Sequence, residues 1–243
     1  MRDKTAASAS VPKYWAIVPA AGIGSRMAAD VPKQYLPLHG HTVLEHTLNT
    51  LFACERMEGV VLALSADDAY WPQIAPRFSG KNLACVGGGA ERCQSVLNAI
   101  QHLGGFADAH DWALVHDAVR PCARAGDVHE LIEALADDAC GGLLGVPVCD
   151  TMKRIGADGR VVETVERQAL WHAQTPQMFR LGLLQSALEQ AITRGILVTD
   201  EAAAVELAGY RPRMVRGHAD NIKITVPSDL ALAEYYLRGR HSS

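Results

Sequence analysis

At 243 residues, with 49% apolar and 21% charged side chains, the chain has the size and composition of one large globular domain, and length alone requires no second. A formal charge of −4 leaves no electrostatic footprint for DNA or RNA, so any positive surface must be local to a site. No apolar run approaches a membrane span, the N-terminus lacks the apolar core of a signal peptide, and the six cysteines include no Cys-x-x-Cys pair; reduced structural thiols and a cytoplasmic location are expected.

Residues 1–12, rich in Ala and Ser, read as a disordered lead-in, and 13–240 as a single domain. Ala16, Ile17 and Val18 form the apolar run of a strand covered on both faces, and Pro19 ends it. Small residues follow: Ala20, Ala21, Gly22 and Gly24 keep bulk away from the main chain, so consecutive N–H groups can close around phosphate oxygens. Arg26 and Lys33 then add positive charge. Met27 stands where a dinucleotide fingerprint needs its third glycine, and no Gly-Lys-Ser/Thr follows at Walker-loop spacing.

Beyond the turn, apolar residues at helical spacing predict a helix over 43–52 with Thr42 as N-cap. A buried strand is expected at 60–64, a helix-like segment at 69–78 and a strand at 83–86. The turn Gly87-Gly88-Gly89 leads into a helix with Val96, Leu97 and Ile100 on one face. The next strand, 113–116, ends at Asp117, where a carboxylate can hold a ribose hydroxyl or a magnesium ion, with Arg120 close by. His116 reads as a core residue without a role. With a further strand at 143–148, the alternation predicts an α/β fold with a mostly parallel, doubly wound sheet whose ligands sit beyond the carboxyl ends of its strands.

The pattern then changes. Residues 151–155 and 161–165 flank an Asp158-Gly159 turn and predict a β-hairpin arm over about 149–170. A two-stranded hairpin is marginal alone, so its apolar residues need another surface. An amphipathic helix over 183–194, a second opened by Thr199 as N-cap, strands at 213–216 and 222–226, and a closing helix from Pro227 through Leu237 complete the chain.

The run Pro19-Ala-Ala-Gly-Ile-Gly-Ser-Arg-Met27 with Pro32-Lys-Gln-Tyr35 is followed, in order, by Gly88-Gly-Ala-Glu-Arg-Cys-Gln-Ser-Val96, His116-Asp-Ala-Val-Arg-Pro121 and Asp150-Thr-Met-Lys153. Leu170-Trp-His-Ala-Gln-Thr-Pro-Gln177, Thr199-Asp-Glu201 and Asp220-Asn-Ile-Lys223 complete the set. From about Tyr14 to Leu237 these blocks resemble the 2-C-methyl-D-erythritol 4-phosphate cytidylyltransferases. The resemblance implies a Rossmann-like, nucleotide-diphospho-sugar transferase-like fold. It also implies transfer of the cytidylyl group of CTP to 2-C-methyl-D-erythritol 4-phosphate in the non-mevalonate route to isoprenoids, dependence on Mg²⁺ or another divalent cation, and a homodimer embraced by the hairpin arm.

Residue by residue, the resemblance implies transition-state stabilisation by Arg26 and Lys33, and positioning of the acceptor phosphate by Lys223 with Arg167 from the partner's arm. The nucleotide would meet Ala20, Ala21, Gly22, Gly24, Arg26, Lys33, Gly89, Ala90, Ser95 and Asp117. The acceptor would meet Asp117, Arg120, Thr151, Arg167, Thr175, Thr199 and Lys223, with Asp117 as candidate metal ligand and Asp220 orienting Lys223. Ala90 departs from the Asp that relatives often carry. Two alternatives stand beside this reading: a ribitol 5-phosphate cytidylyltransferase, and a nucleotide-binding regulator without turnover.

Overall fold

Alternation along the first strand decides the layering. In the computed structural model, which describes residues 11–22 and 31–240, β1 (Tyr14–Pro19) sends Trp15 and Ile17 to one face of the sheet and Ala16 and Val18 to the other, all four buried. Most of the expected lead-in, together with Gly24 and Arg26, lies outside the described residues.

After a 3-10 turn at Lys33–Tyr35, the short antiparallel pair β2 (Pro37–Leu38) and β3 (His41–Thr42) leads into α1 (Val43–Phe52). Thr42 caps α1 as expected: its hydroxyl accepts from Glu45 N–H, and the Glu45 carboxylate accepts from Thr42 N–H in return. Then come β4 (Met57–Leu64), α2 (Trp71–Ile74), β5 (Leu83–Gly87), α3 (Arg92–Leu103), β6 (Trp112–Val115), α4 (Ala125–Leu135) and β7 (Gly141–Pro147). The arm follows as β8 (Met152–Ile155) paired antiparallel with β9 (Val161–Val165). The chain closes with β10 (Trp171–Arg180), α5 (Leu181–Thr193), α6 (Glu201–Leu207), β11 (Arg213–Arg216) and α7 (Pro227–Arg240).

Seven strands form one sheet in the order β11-β7-β10-β6-β1-β4-β5. All neighbours are parallel except β10, which runs antiparallel to both β6 and β7. Apolar faces of α3, α5 and α6 cover the side bearing Trp15 and Ile17, while those of α1 and α4 cover the other. The doubly wound, mostly parallel architecture is therefore as the sequence predicts.

Two local expectations fail. Residues 222–226 form no strand: Ile224 N–H makes one bond to Val119 C=O, and the carboxylate of Asp229 takes the N–H groups of Thr225 and Val226, so no ladder can form. Thr199 is not the cap of α6; Asp200 is, accepting from Ala203 N–H at 2.9 Å. A carboxylate answers the positive helix end better than a hydroxyl does. Nor does periodicity reveal β10 as a central strand, because Gln174-Thr175-Pro176-Gln177 is polar and proline cannot donate to a ladder. Pairing is interrupted there, between Ala173 and Gln177, beside a cis Thr175–Pro176 bond.

Candidate active site

The site begins at the carboxyl end of β4, which holds the loops that follow both of its neighbours. Ala20 N–H donates to Ala63 C=O at 2.8 Å, and Gly88 N–H donates to Leu64 C=O at 2.7 Å. The two loops touch so closely that a Cβ on Gly88 would lie 2.3 Å from that of Ala21, which is why this position must be glycine. Gln34, buried in the 3-10 turn, reaches back to donate to Ala20 C=O at 2.8 Å. Sequence reasoning gave Gln34 no part, although it stands beside Lys33.

These loops wall a first cavity lined by Ala20, Ala21, Gly22, Lys33, Gly89, Ala90, Ser95, Asp117 and Lys223. Of the expected nucleotide residues, all that are described converge here. Ser95 serves the loop itself: its hydroxyl accepts from Gly89 N–H at 3.0 Å and donates to Glu91 C=O. Lys33 Nζ donates to Ile224 C=O at 3.3 Å, which ties the opening turn to the segment carrying Lys223.

A second cavity shares Arg92, Asp117 and Lys223 with the first and adds Arg120, Thr175, Thr199, Gln174 and Asp200. Asp117 is the hub. Its carboxylate is nearly buried and lies 3.0 Å from Arg92 Nε, 2.9 Å from Lys223 Nζ and 3.5 Å from Arg120 Nε. Burial alone would raise its pKa, but the charges of Arg92, Lys223 and Arg120 outweigh it and hold the carboxyl well below the usual carboxylate range.

Thr175 lines the second cavity, yet its hydroxyl works within the fold. Its oxygen accepts from Asp117 N–H at 3.1 Å and lies 2.8 Å from His116 Nδ1. His116 is fully buried, and burial pushes its pKa down to about 4, so the ring stays neutral at pH 7. That agrees with its reading as a core residue. Asn221, also buried, bonds Thr175 C=O through its side chain and accepts from Arg120 through its backbone carbonyl. Asp220 does not orient Lys223. Its carboxylate joins Arg124 at 2.5 Å and Arg240 at 2.9 Å, and so clasps α7 to the domain.

Thr151 and Arg167 stand apart. They line a cavity in the arm with Thr164, Val165 and Glu166, none of which belongs to the other two cavities, and Arg167 donates to Cys149 C=O. One chain therefore does not bring them to the wall of Asp117 and Lys223.

The model of the family described as IspD, 2-C-methyl-D-erythritol 4-phosphate cytidylyltransferase, matches residues 14–239. The chain belongs to this family. A relative named 2-C-methyl-D-erythritol 4-phosphate cytidylyltransferase in Hahella chejuensis is 52% identical over 226 residues, 93% of each chain. The chain is also similar to a crystal structure of a 4-diphosphocytidyl-2C-methyl-D-erythritol synthase, at TM-score 0.81 and 37% identity over 93% of this chain and 99% of that one. The IspD structure from Francisella tularensis aligns at TM-score 0.79 and 33% identity, over 92% and 99%. Neither the ribitol phosphate enzyme nor the regulator is favoured by these similarities.

Besides Gln34, two residues went without a role in the sequence reading: Arg92, which lines both cavities, and Glu201, which has no exposed surface and holds the Arg92 guanidinium by both oxygens. A sequence signal existed. Arg92 opens α3, and a cation in the first turn of a helix opposes the helix dipole, so some other charge must hold it there.

Proposed function

We propose that this chain transfers the cytidylyl group of CTP to 2-C-methyl-D-erythritol 4-phosphate and releases pyrophosphate. One observation supports the reading above the others: the loop-walled and threonine-lined cavities share Arg92, Asp117 and Lys223. A phosphate in the second cavity would meet the nucleotide's α-phosphate across that common wall.

The chemistry suits these residues. An oxygen of the acceptor phosphate attacks the α-phosphorus, the bond to the β-phosphate oxygen breaks, and pyrophosphate leaves. With a second pKa of about 6, the attacking phosphate is already largely ionised near neutrality, so no general base is needed. What must be overcome is repulsion between anions. Lys33, with Arg26 by its place in the opening motif, would neutralise charge growing on the α-phosphoryl oxygens and the leaving group, aided by the N–H groups of Ala21 and Gly22. Lys223 would hold the acceptor phosphate for in-line attack, with Arg120 and Thr199 beside it. Gly89 and Ala90 would present main-chain groups to the base.

Asp117 is the candidate protein ligand for Mg²⁺. Its oxygens already face three cations, and among the described residues no three His, Cys, Asp or Glu side chains converge as a metal site. The donor set therefore suits an ion held chiefly by substrate phosphates with one carboxylate at most, a common arrangement for Mg²⁺. Bound there, it would neutralise the triphosphate.

The arm supports a homodimer. Ile155, Val161 and Val162 are 64%, 60% and 66% exposed, three apolar side chains gathered on a two-stranded hairpin that a partner subunit would cover. Arg167 and Thr151 of the partner subunit would complete the second cavity.

Pyrophosphate release with Mg²⁺ and each of the four nucleoside triphosphates tests the reading, with methylerythritol 4-phosphate compared against ribitol 5-phosphate. Release with CTP and the methylerythritol acceptor alone is expected. Release with ribitol phosphate instead, or with no pair, would overturn it.

A further inference from the structure

Arg92 connects two parts of the molecule that the reaction requires to be in register. Its Nη1 and Nη2 donate to Glu201 at 2.6 and 3.1 Å, and its Nε donates to Asp117 at 3.0 Å. Arg92 opens α3, directly after the loop of Gly89 and Ala90, whereas Glu201 opens α6, directly after Thr199 and Asp200 of the second cavity. Glu201 itself lines neither cavity. Among the described residues its side chain pairs only with Arg92, so a fully buried carboxylate is committed to one guanidinium.

Burying such a pair gains little stability by itself, since desolvation offsets the attraction. It does fix geometry. A guanidinium fork matched to both carboxylate oxygens holds distance and plane together, which an ammonium cannot do. The chain Glu201–Arg92–Asp117–Lys223 thus runs from the first residue of α6 to the cation at the common wall.

We propose that Arg92, clamped by Glu201, is a positioning residue for the transfer reaction: it sets Asp117, and through it Lys223, between the two cavities, so that nucleotide and acceptor are aligned by a carboxylate neither of them touches. This rests on the cytidylyl-transfer reading above. Burial alone would lower the pKa of Arg92, but Glu201 and Asp117 raise it, so the guanidinium stays charged at any working pH.

The test compares Glu201→Gln, Arg92→Lys and the double variant with the wild-type protein, reading kcat and KM for CTP and for methylerythritol 4-phosphate alongside thermal midpoints. Each single variant should lose on the order of 10-fold to 10²-fold in kcat/KM for both substrates, the cost of misplacement by about 1 Å. The double variant should be no worse than the poorer single, because either change opens the same clamp. Folded single variants with wild-type constants, or losses that multiply in the double, would overturn the proposal. Should Glu201→Gln fail to fold, Arg92→Lys decides alone: a folded protein impaired toward both substrates supports the clamp, and one with unchanged constants refutes it. An inactive wild type would instead overturn the underlying reading, whereas an active wild type beside unaffected variants overturns only this inference.

Discussion

The Nζ of Lys223 lies 2.9 Å from Oδ2 of Asp117, so the cation proposed to hold the acceptor rests on a carboxylate that Arg92 and Arg120 also flank. Asp117→Asn keeps the shape and removes the charge, leaving those three cations opposed only by what remains. We expect a loss of about 3 kcal/mol or more in urea unfolding, the cost of stripping one partner from a buried ionic cluster. Because the carboxyl pKa is depressed, the stability it contributes is present above the ordinary carboxylate range and is lost only as pH falls far below it. The variant and the wild type should therefore differ equally at neutral and mildly acidic pH. Unfolding midpoints that agree at pH 7 would exclude the cluster as a source of stability.

Lys33 lines the first cavity with its side chain bonded to a backbone carbonyl, so its substitution tests chemistry. Lys33→Ala should reduce kcat by about 10²–10³ while circular dichroism stays unchanged, the typical cost of one transition-state contact. Turnover within threefold of wild type would remove Lys33 from the mechanism.

His116 should make the fold sensitive to acid. Its folded pKa of about 4 lies below the ordinary 6.5, so the unfolded chain binds the extra proton first. The contribution is complete above the unfolded pKa and is lost as pH falls from 6.5 toward 4. Between pH 7 and pH 5 it amounts to about 2 kcal/mol. In His116→Gln, urea midpoints should fall less over that interval than in the wild type. Parallel curves would show that another group carries the acid sensitivity.

Action of Arg167 across a dimer can be read by mixing. Arg167→Ala and Lys33→Ala should each be nearly inactive, yet co-refolded they should recover activity, because one mixed site would then combine an intact Lys33 with an intact partner arm. No recovery, in a sample that forms mixed dimers by mass spectrometry, would place Arg167 outside the shared site.

Sequence periodicity carried most of the sheet, because buried strands such as those expected at 60–64 and 143–148 read as plain apolar runs. It failed where polar groups are satisfied by side chains rather than ladders, as at 222–226 and across Gln174 to Gln177. The convergence of Ala20, Ala21, Gly22 and Lys33 on one cavity was legible because small residues and a cation stand close together in the chain. Gln34 and Glu201 were not, since each acts through a partner distant in sequence, Ala20 and Arg92. Asp220 was misread for the same reason: its partners Arg124 and Arg240 come from other elements.

The route by which the chain enters and leaves the arm has a practical consequence. Pro147 at the end of β7 is paired directly with Trp171 at the start of β10, and Val148 N–H bonds Leu170 C=O at 3.0 Å. Everything between is an excursion from an already closed seam. The arm is therefore a separable excursion: a tight turn spliced across that seam would leave the sheet intact while removing Thr151 and Arg167 from the chain, so the folding of the body and whatever the arm contributes can be measured apart.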